Sequence, residues 1–180
     1  MEIPLSALTP PAVITADDTL PRDPTTADVV PAIRHRILLS TTSSDSHTWN
    51  LMFLQLLLEE CGFEVVNLGP CVSDDLLVET ARDRRPSAIV ISTVNGHGGI
   101  DGARVARAVR RDPAIAQLPM VIGGKLGIEG TSSDDELSRL LEAGFDAVFI
   151  GDANPDELPT ALSRMLPARR PQLSEAGHVR

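Results

Sequence analysis

The chain of 180 residues has no tyrosine, one tryptophan, four phenylalanines and two cysteines, and Lys125 is the only lysine among its 16 basic residues. So few aromatics argue against a site that works by stacking rings. Cys61 and Cys71 are too few for a disulfide framework or a four-cysteine zinc site, and they suit a reducing cytoplasm. Positive charge is also scarce: 16 Lys and Arg face 25 Asp and Glu, and the net charge of −9 repels phosphate backbones and anionic membranes. No nucleic-acid partner is expected. No apolar run approaches the roughly 18 residues of a spanning helix. The N-terminus lacks the basic-then-apolar pattern of a signal peptide, so a soluble, cytoplasmic protein without a membrane partner is expected. The length suits one domain with a tail or two and is too short for a two-domain enzyme with its own substrate cleft.

Glycine is absent from residues 1–34, which instead hold six prolines, Pro4, Pro10, Pro11, Pro21, Pro24 and Pro31, with no sustained apolar period. This segment reads as a disordered or loosely docked arm. From residue 35 to 166 short apolar runs alternate with amphipathic segments, and 167–180 read as a polar tail. Strands are expected at 36–41, 63–68, 87–92, 118–122 and 145–150. Helices are expected at 49–61, closed by Gly62, and from the Ser73 cap to about Arg84. Three more are expected: about Gly102 to Arg111, from a capping box at Ser133–Glu136 to Gly144, and from Asn154-Pro155. The helix at 49–61 is apolar nearly all round, which calls for cover on most sides. Strict alternation gives an α/β fold, a doubly wound parallel five-stranded sheet of flavodoxin-like (Rossmann-like) type, in the order 2-1-3-4-5.

Ligands of such sheets bind beyond the carboxyl ends of the strands. Those loops are Thr42–Thr48, Thr93–Asp101 and Gly123–Gly130, and eight of the 13 glycines lie in or just after the last two. Glycine there admits a ligand close to the backbone or a positive φ. In the first loop the Asp45 carboxylate can accept the Nδ1–H of His47 and leave Nε2 free as a metal ligand or base. Alternatively, Asp45 only caps the next helix and His47 is a loop histidine. His97 reads as a solvated loop residue or a ligand contact, and Lys125 as a surface lysine or a phosphate contact. Trp49 could shield a cofactor or staple its helix. Cys61 reads as a small buried hydrophobe, Cys71 as an inert loop residue, and the arginines at 104, 107, 110 and 111 as a solvated face.

Asp45-Ser-His47, Ser92-Thr-Val94 and Gly123-Gly124, in this order at the ends of three strands, resemble the D-x-H-x-x-G, S-x-L and G-G signature of base-off, histidine-on cobalamin-binding domains. Four further stretches, Ser44–His47, Gly62–Gly69, Gly96–Asp101 and Ala143–Val148, are similar to small subunits of glutamate mutase (methylaspartate mutase). The resemblance covers residues 36 to about 165. It implies that His47 ligates cobalt through Nε2, with Asp45 accepting the other ring proton. It also implies that Ser44, Ser46 and Thr48 line the corrin side of the first loop. The displaced nucleotide tail would enter a crevice between sheet and helix, near Ser92, with room left by Gly123 and Gly124. The rest of the implied cofactor contacts are Thr93, Val94, Asn95, Gly96, Lys125 and Leu126. The implied reaction is an isomerisation, the radical rearrangement of L-glutamate to threo-3-methylaspartate with adenosylcobalamin. A domain this small would carry cofactor only, so a large barrel-type mutase subunit would bind the substrate.

Two positions depart from the signature: Val94 replaces leucine and keeps an apolar contact, and Asn50 replaces the glycine six positions into the first motif. The latter adds a side chain where the tail would pass, either narrowing the crevice or supplying a hydrogen bond. A corrinoid carrier for a methyltransferase shares the same motifs, but commonly has a helical cap domain that residues 1–34 are too proline-rich to form. A flavodoxin-like electron carrier would use the hydroxyl-rich 41–48 loop for a flavin phosphate, against the shortage of aromatics. A phosphoaccepting signalling domain needs an aspartate ending the third strand and a lysine after the fifth, where this chain has Ser92–Asn95 and Gly151–Asn154.

Overall fold

The computed structural model describes residues 34–127, 134–151, 154 and 156–167. The expected arm, the polar tail, and the start of the capping box at Ser133 lie outside the described residues. Five strands, β1 (Arg36–Ser40), β2 (Glu64–Asn67), β3 (Ala88–Thr93), β4 (Met120–Gly124) and β5 (Ala147–Ile150), alternate with five helices. These are α1 (Trp49–Glu60), α2 (Asp74–Arg84), α3 (Gly98–Arg110), α4 (Asp134–Ala143) and α5 (Glu157–Met165). All strand pairs are parallel and the order is β2-β1-β3-β4-β5, as the alternation predicts.

Burial on both faces makes the central strands continuous apolar runs. Ile37, Leu38 and Leu39 of β1 and all six residues of β3 are buried. Alternate side chains feed two cores. Ile37, Leu39, Ala88 and Val90 pack with Leu51 and Leu58 of α1 and Leu158 and Leu162 of α5. Leu38, Ile89 and Ile91 pack with Leu77 of α2, Val105 and Val109 of α3 and Leu140 of α4. Each fully buried aliphatic side chain contributes about 1.5–3 kcal/mol of transfer free energy.

The helix ends follow local chemistry. Ser73 caps α2 by accepting from the Leu76 N–H, and Asp74 and Asp75 face the positive end of its dipole. Gly62, at φ +83°, closes α1 with paired bonds from Gly62 N–H to Glu59 O (2.9 Å) and from Phe63 N–H to Leu58 O (3.0 Å). Helix α3 starts at Gly98, a turn earlier than expected, because its glycines serve packing. A Cβ on Gly98 would come 3.1 Å from Leu126 Cα, and one on Gly102 would come 2.5 Å from Ile122 Cδ1.

Three side-chain expectations are corrected. Cys61 is exposed, because it stands at the C-cap of α1, past the last turn of the helix. Arg110 is half-buried and donates to the carbonyls of Ala116 (2.6 Å), Leu118 (2.7 Å) and Gly144 (2.9 Å), tying α3 to the following turn and to α4. Among the described residues α1 is covered on one face only, and Trp49, Met52, Phe53 and Leu56 form an exposed stripe at helical spacing.

Candidate functional site

The loop after β1 is short and pinned at both ends. The Asp45 N–H donates to Thr42 O (3.1 Å), and Asp45 O accepts from the Cys71 N–H (2.8 Å) and from Thr41 Oγ1 (3.2 Å). These bonds turn the Asp45 side chain inward, where it is 0% exposed.

Four donors fill that buried carboxylate. Oδ1 accepts from the His47 backbone N–H (2.9 Å) and from His47 Nδ1 (2.7 Å). Oδ2 accepts from Thr93 Oγ1 (2.7 Å) and the Val94 N–H (2.7 Å), at the end of β3. Burial works to raise the Asp45 pKa, but the bonds from His47, Thr93 and Val94 together outweigh it and hold the carboxyl below its ordinary value. An ionised, acceptor-only carboxylate selects the Nδ1–H tautomer of His47 and leaves the Nε2 lone pair unused. The His47 side chain is 57% exposed, and Nε2 has no hydrogen bond within the described residues. The sequence reading in which Asp45 is only a helix cap is therefore replaced: Asp45 joins the β1 loop to β3 and orients an imidazole outward.

The other loop residues brace this pair. Asn95 Nδ2 donates to Ser44 Oγ (2.7 Å), Asn95 Oδ1 accepts from the His97 N–H (2.9 Å), and Ser44 Oγ donates to Asp101. Arg104 donates to Ser43 (2.9 Å) and pairs with Asp74 and Asp101, so it is a strut between loops. Ser46, Thr48 and His97 are exposed, while Gly96 is buried and takes φ +80°.

Beside the pair, on the α1 and α5 face of the sheet, lies a cavity of about 420 Å³. Its walls are apolar, with Trp49, Phe53 and Leu54 on α1 and Phe149 and Leu158 on the other side. Ser92, Gly123 and Gly124 form its floor at adjacent register positions of β3 and β4. Ser92 is 4% exposed, and its hydroxyl has no partner within the described residues. Its oxygen lies on the lining of the slot and can pair with a ligand there. Gly124 holds φ +116°, with the Thr93 carbonyl 2.2 Å from where a Cβ would stand, so no other residue fits there. Gly123 lies under Phe149, whose Cβ would be 3.1 Å from an added Cβ.

The sequence-derived residues thus fall into groups. Ser44, Asp45, His47, Thr93, Val94 and Asn95 form one bonded network, and Ser92, Gly123 and Gly124 share the cavity. Lys125 is exposed outside the cavity lining, and Leu126 packs into the opposite core. Trp49 is 78% exposed at the cavity rather than stapling its helix. Sequence reasoning overlooked the cavity contributions of Phe53, Leu54, Phe149 and Leu158. Their apolar character was visible, but the pairing of α1 with α5 across the sheet was not.

Among the described residues no group of three or more His, Cys, Asp or Glu could cage a metal ion, and no helix is long and apolar enough to cross a membrane.

Comparison with known proteins gives the same outline. Residues 35–158 match the B12 binding domain family. The chain is 27% identical over 121 residues to glutamate mutase sigma subunit 1 of Haloarcula marismortui, covering 67% of this chain and 79% of that one. It is 30% identical over 131 residues to the glutamate mutase sigma subunit of Carboxydothermus hydrogenoformans, covering 72% of this chain and 94% of the relative. Among solved structures, a cobalamin-binding protein from Desulfitobacterium hafniense superposes with a TM-score of 0.62 at 21% identity, covering 75% of this chain and 60% of that one. That last likeness concerns the fold alone.

Proposed function

Because the chain belongs to the B12-binding domain family, with glutamate mutase sigma subunits among its relatives, we propose that it is the cobalamin-carrying small subunit of a glutamate mutase. In this reading it is an isomerase component that uses adenosylcobalamin and works with a large barrel-type subunit, which binds glutamate. The observation that carries the reading is the Asp45–His47 pair, which presents an unshared Nε2 beside an apolar cavity.

The residues fit the group. Corrin supplies a planar set of cobalt ligands, so one imidazole suffices from the protein, and His47 is the lone candidate in the loop. Asp45 holds the ring proton at Nδ1 and so leaves the Nε2 lone pair for the metal, while Thr93 and Val94 hold Asp45 still. With His47 as ligand, the lower nucleotide of the cofactor needs another place, and the cavity floored by Ser92 is apolar and adjacent. Adenosylcobalamin, when bound, supplies the radical that begins the rearrangement. Ser44, Ser46 and Thr48, exposed in the β1 loop, would line the corrin side, and the large subunit would cover the other.

The test is to titrate the full chain with methylcobalamin and record its absorption spectrum, then assay glutamate rearrangement with adenosylcobalamin and the large subunit. The expected result is a base-off, histidine-ligated spectrum that His47→Ala abolishes, together with activity only in the presence of both subunits. A wild-type spectrum unchanged from free methylcobalamin would overturn the cofactor assignment. A normal spectrum without rearrangement of glutamate would overturn the substrate.

A further inference from the structure

The described lining of the cavity carries no Lys, Arg, Asp or Glu, and its polar side chains are Ser92, Asn50 and Asn154. They sit at two depths. Ser92 is level with Gly123 and Phe149 in the floor of the slot. Asn50 is in the first turn of α1 and Asn154 precedes α5, so both stand at the mouth, where the strands end. Asn154 Oδ1 already accepts from the Asp156 N–H (3.1 Å), whereas the Asn50 amide is half-buried and has no partner within the described residues.

The mouth also favours negative charge. Thr48 makes no side-chain capping bond to α1, and there is no acidic residue in its first turn, so the N–H groups and the positive end of the helix dipole are uncompensated. A nucleotide tail entering this slot divides along the same lines. Its flat base suits the apolar interior beside the unpartnered Ser92 hydroxyl, which leaves the ribose and phosphodiester crossing the mouth.

We infer that the Asn50 amide donates a hydrogen bond to the sugar–phosphate part of the nucleotide tail, making Asn50 a specificity residue for corrinoids that carry the tail. The inference rests on the cobalamin reading above and deepens it. The signature glycine at this position has no side chain to make such a contact. The substitution therefore exchanges open space for a neutral donor, placed where the helix terminus already attracts an anion.

Spectroscopic titration of wild type, Asn50→Ala and Asn50→Gly with methylcobalamin and with cobinamide, which lacks the nucleotide, tests this. The alanine variant keeps helix propensity and the glycine variant restores the signature residue, so a folding defect in one does not obscure the other. Loss of one such hydrogen bond weakens methylcobalamin binding about threefold to tenfold. Both variants are expected to show that loss while cobinamide affinity stays at the wild-type value. Unchanged or tighter methylcobalamin binding in the variants overturns the inference, and so does an equal loss on both ligands, which would point to a displaced loop. A wild type that leaves the methylcobalamin spectrum unchanged overturns the cofactor reading itself, an outcome distinct from either of these.

Discussion

Replacing Asp45 with asparagine keeps the shape of the side chain and removes its charge, and the four donors around it make the cost calculable. Each carboxylate oxygen accepts two bonds, His47 N–H and Nδ1 on one side and Thr93 Oγ1 and Val94 N–H on the other. Whichever way the asparagine amide turns, its NH2 faces one backbone N–H, whose bond is lost, and one group, Thr93 Oγ1 or His47 Nδ1, that must turn from donor to acceptor. Losing that charge-assisted bond and leaving the buried N–H unpaired costs about 3 kcal/mol. For a domain of this size that lowers the thermal midpoint by about 12 °C, at about 4 °C per kcal/mol. The effect has a pH signature. The folded-state pKa of Asp45 lies below its unfolded value, so its stabilisation is complete above the ordinary carboxylate range, near pH 4, and disappears as the pH falls below it. Urea unfolding of wild type and Asp45→Asn between pH 7 and pH 3 should show a gap of about 3 kcal/mol that narrows in acid, with other carboxylates cancelling in the difference. A variant within about 0.5 kcal/mol of wild type at pH 7, or a gap as wide at pH 3 as at pH 7, refutes the reasoning.

Two further outcomes separate backbone constraint from ligand contact. Gly124→Ala forces a Cβ to 2.2 Å from the Thr93 carbonyl at φ +116°, so a loss of roughly 3 kcal/mol or more is expected by urea denaturation. Ser92→Ala removes a hydroxyl that has no partner within the described residues and is not one of the buried unsatisfied atoms, so the free protein should be about as stable as wild type. The same variant should bind methylcobalamin about threefold to tenfold more weakly. A Ser92→Ala protein that is clearly less stable without ligand would show that the hydroxyl is satisfied internally.

Much of the site was legible in the sequence because its first step is local. Asp45 and His47 are two residues apart, and a carboxylate at that spacing reaches the imidazole of the same loop, as the 2.7 Å contact shows. What spacing left open was whether Asp45 faced the helix or the sheet. Its bonds to Thr93 and Val94, 48 and 49 residues away, settled that. The glycines misled in part. Gly98 reads as a loop residue and Gly102 as the helix start just after it, both on a ligand path, but both lie inside α3 and let it approach β4, because a small residue serves a close backbone contact as readily as a bound ligand. The stripe on α1 shows the converse limit. Apolar residues all round a helix are consistent with burial on every side, and only the packing reveals that Trp49, Met52, Phe53 and Leu56 are left outside.

By itself, then, the order of residues determined the alternation of strands and helices and the parallel order of the sheet, and it put Asp45 within reach of His47. Each follows from period, chirality of connection or short spacing, all of which act along the chain. Tertiary structure alone decided that α1 and α5 flank one slot, that Ser92 sits unpartnered in its floor with Asn50 at its mouth, and that Asp45 is clamped by β3. Cavities and buried hydrogen bonds arise from surfaces brought together across the sheet, and no local pattern specifies which surfaces meet or what space they leave.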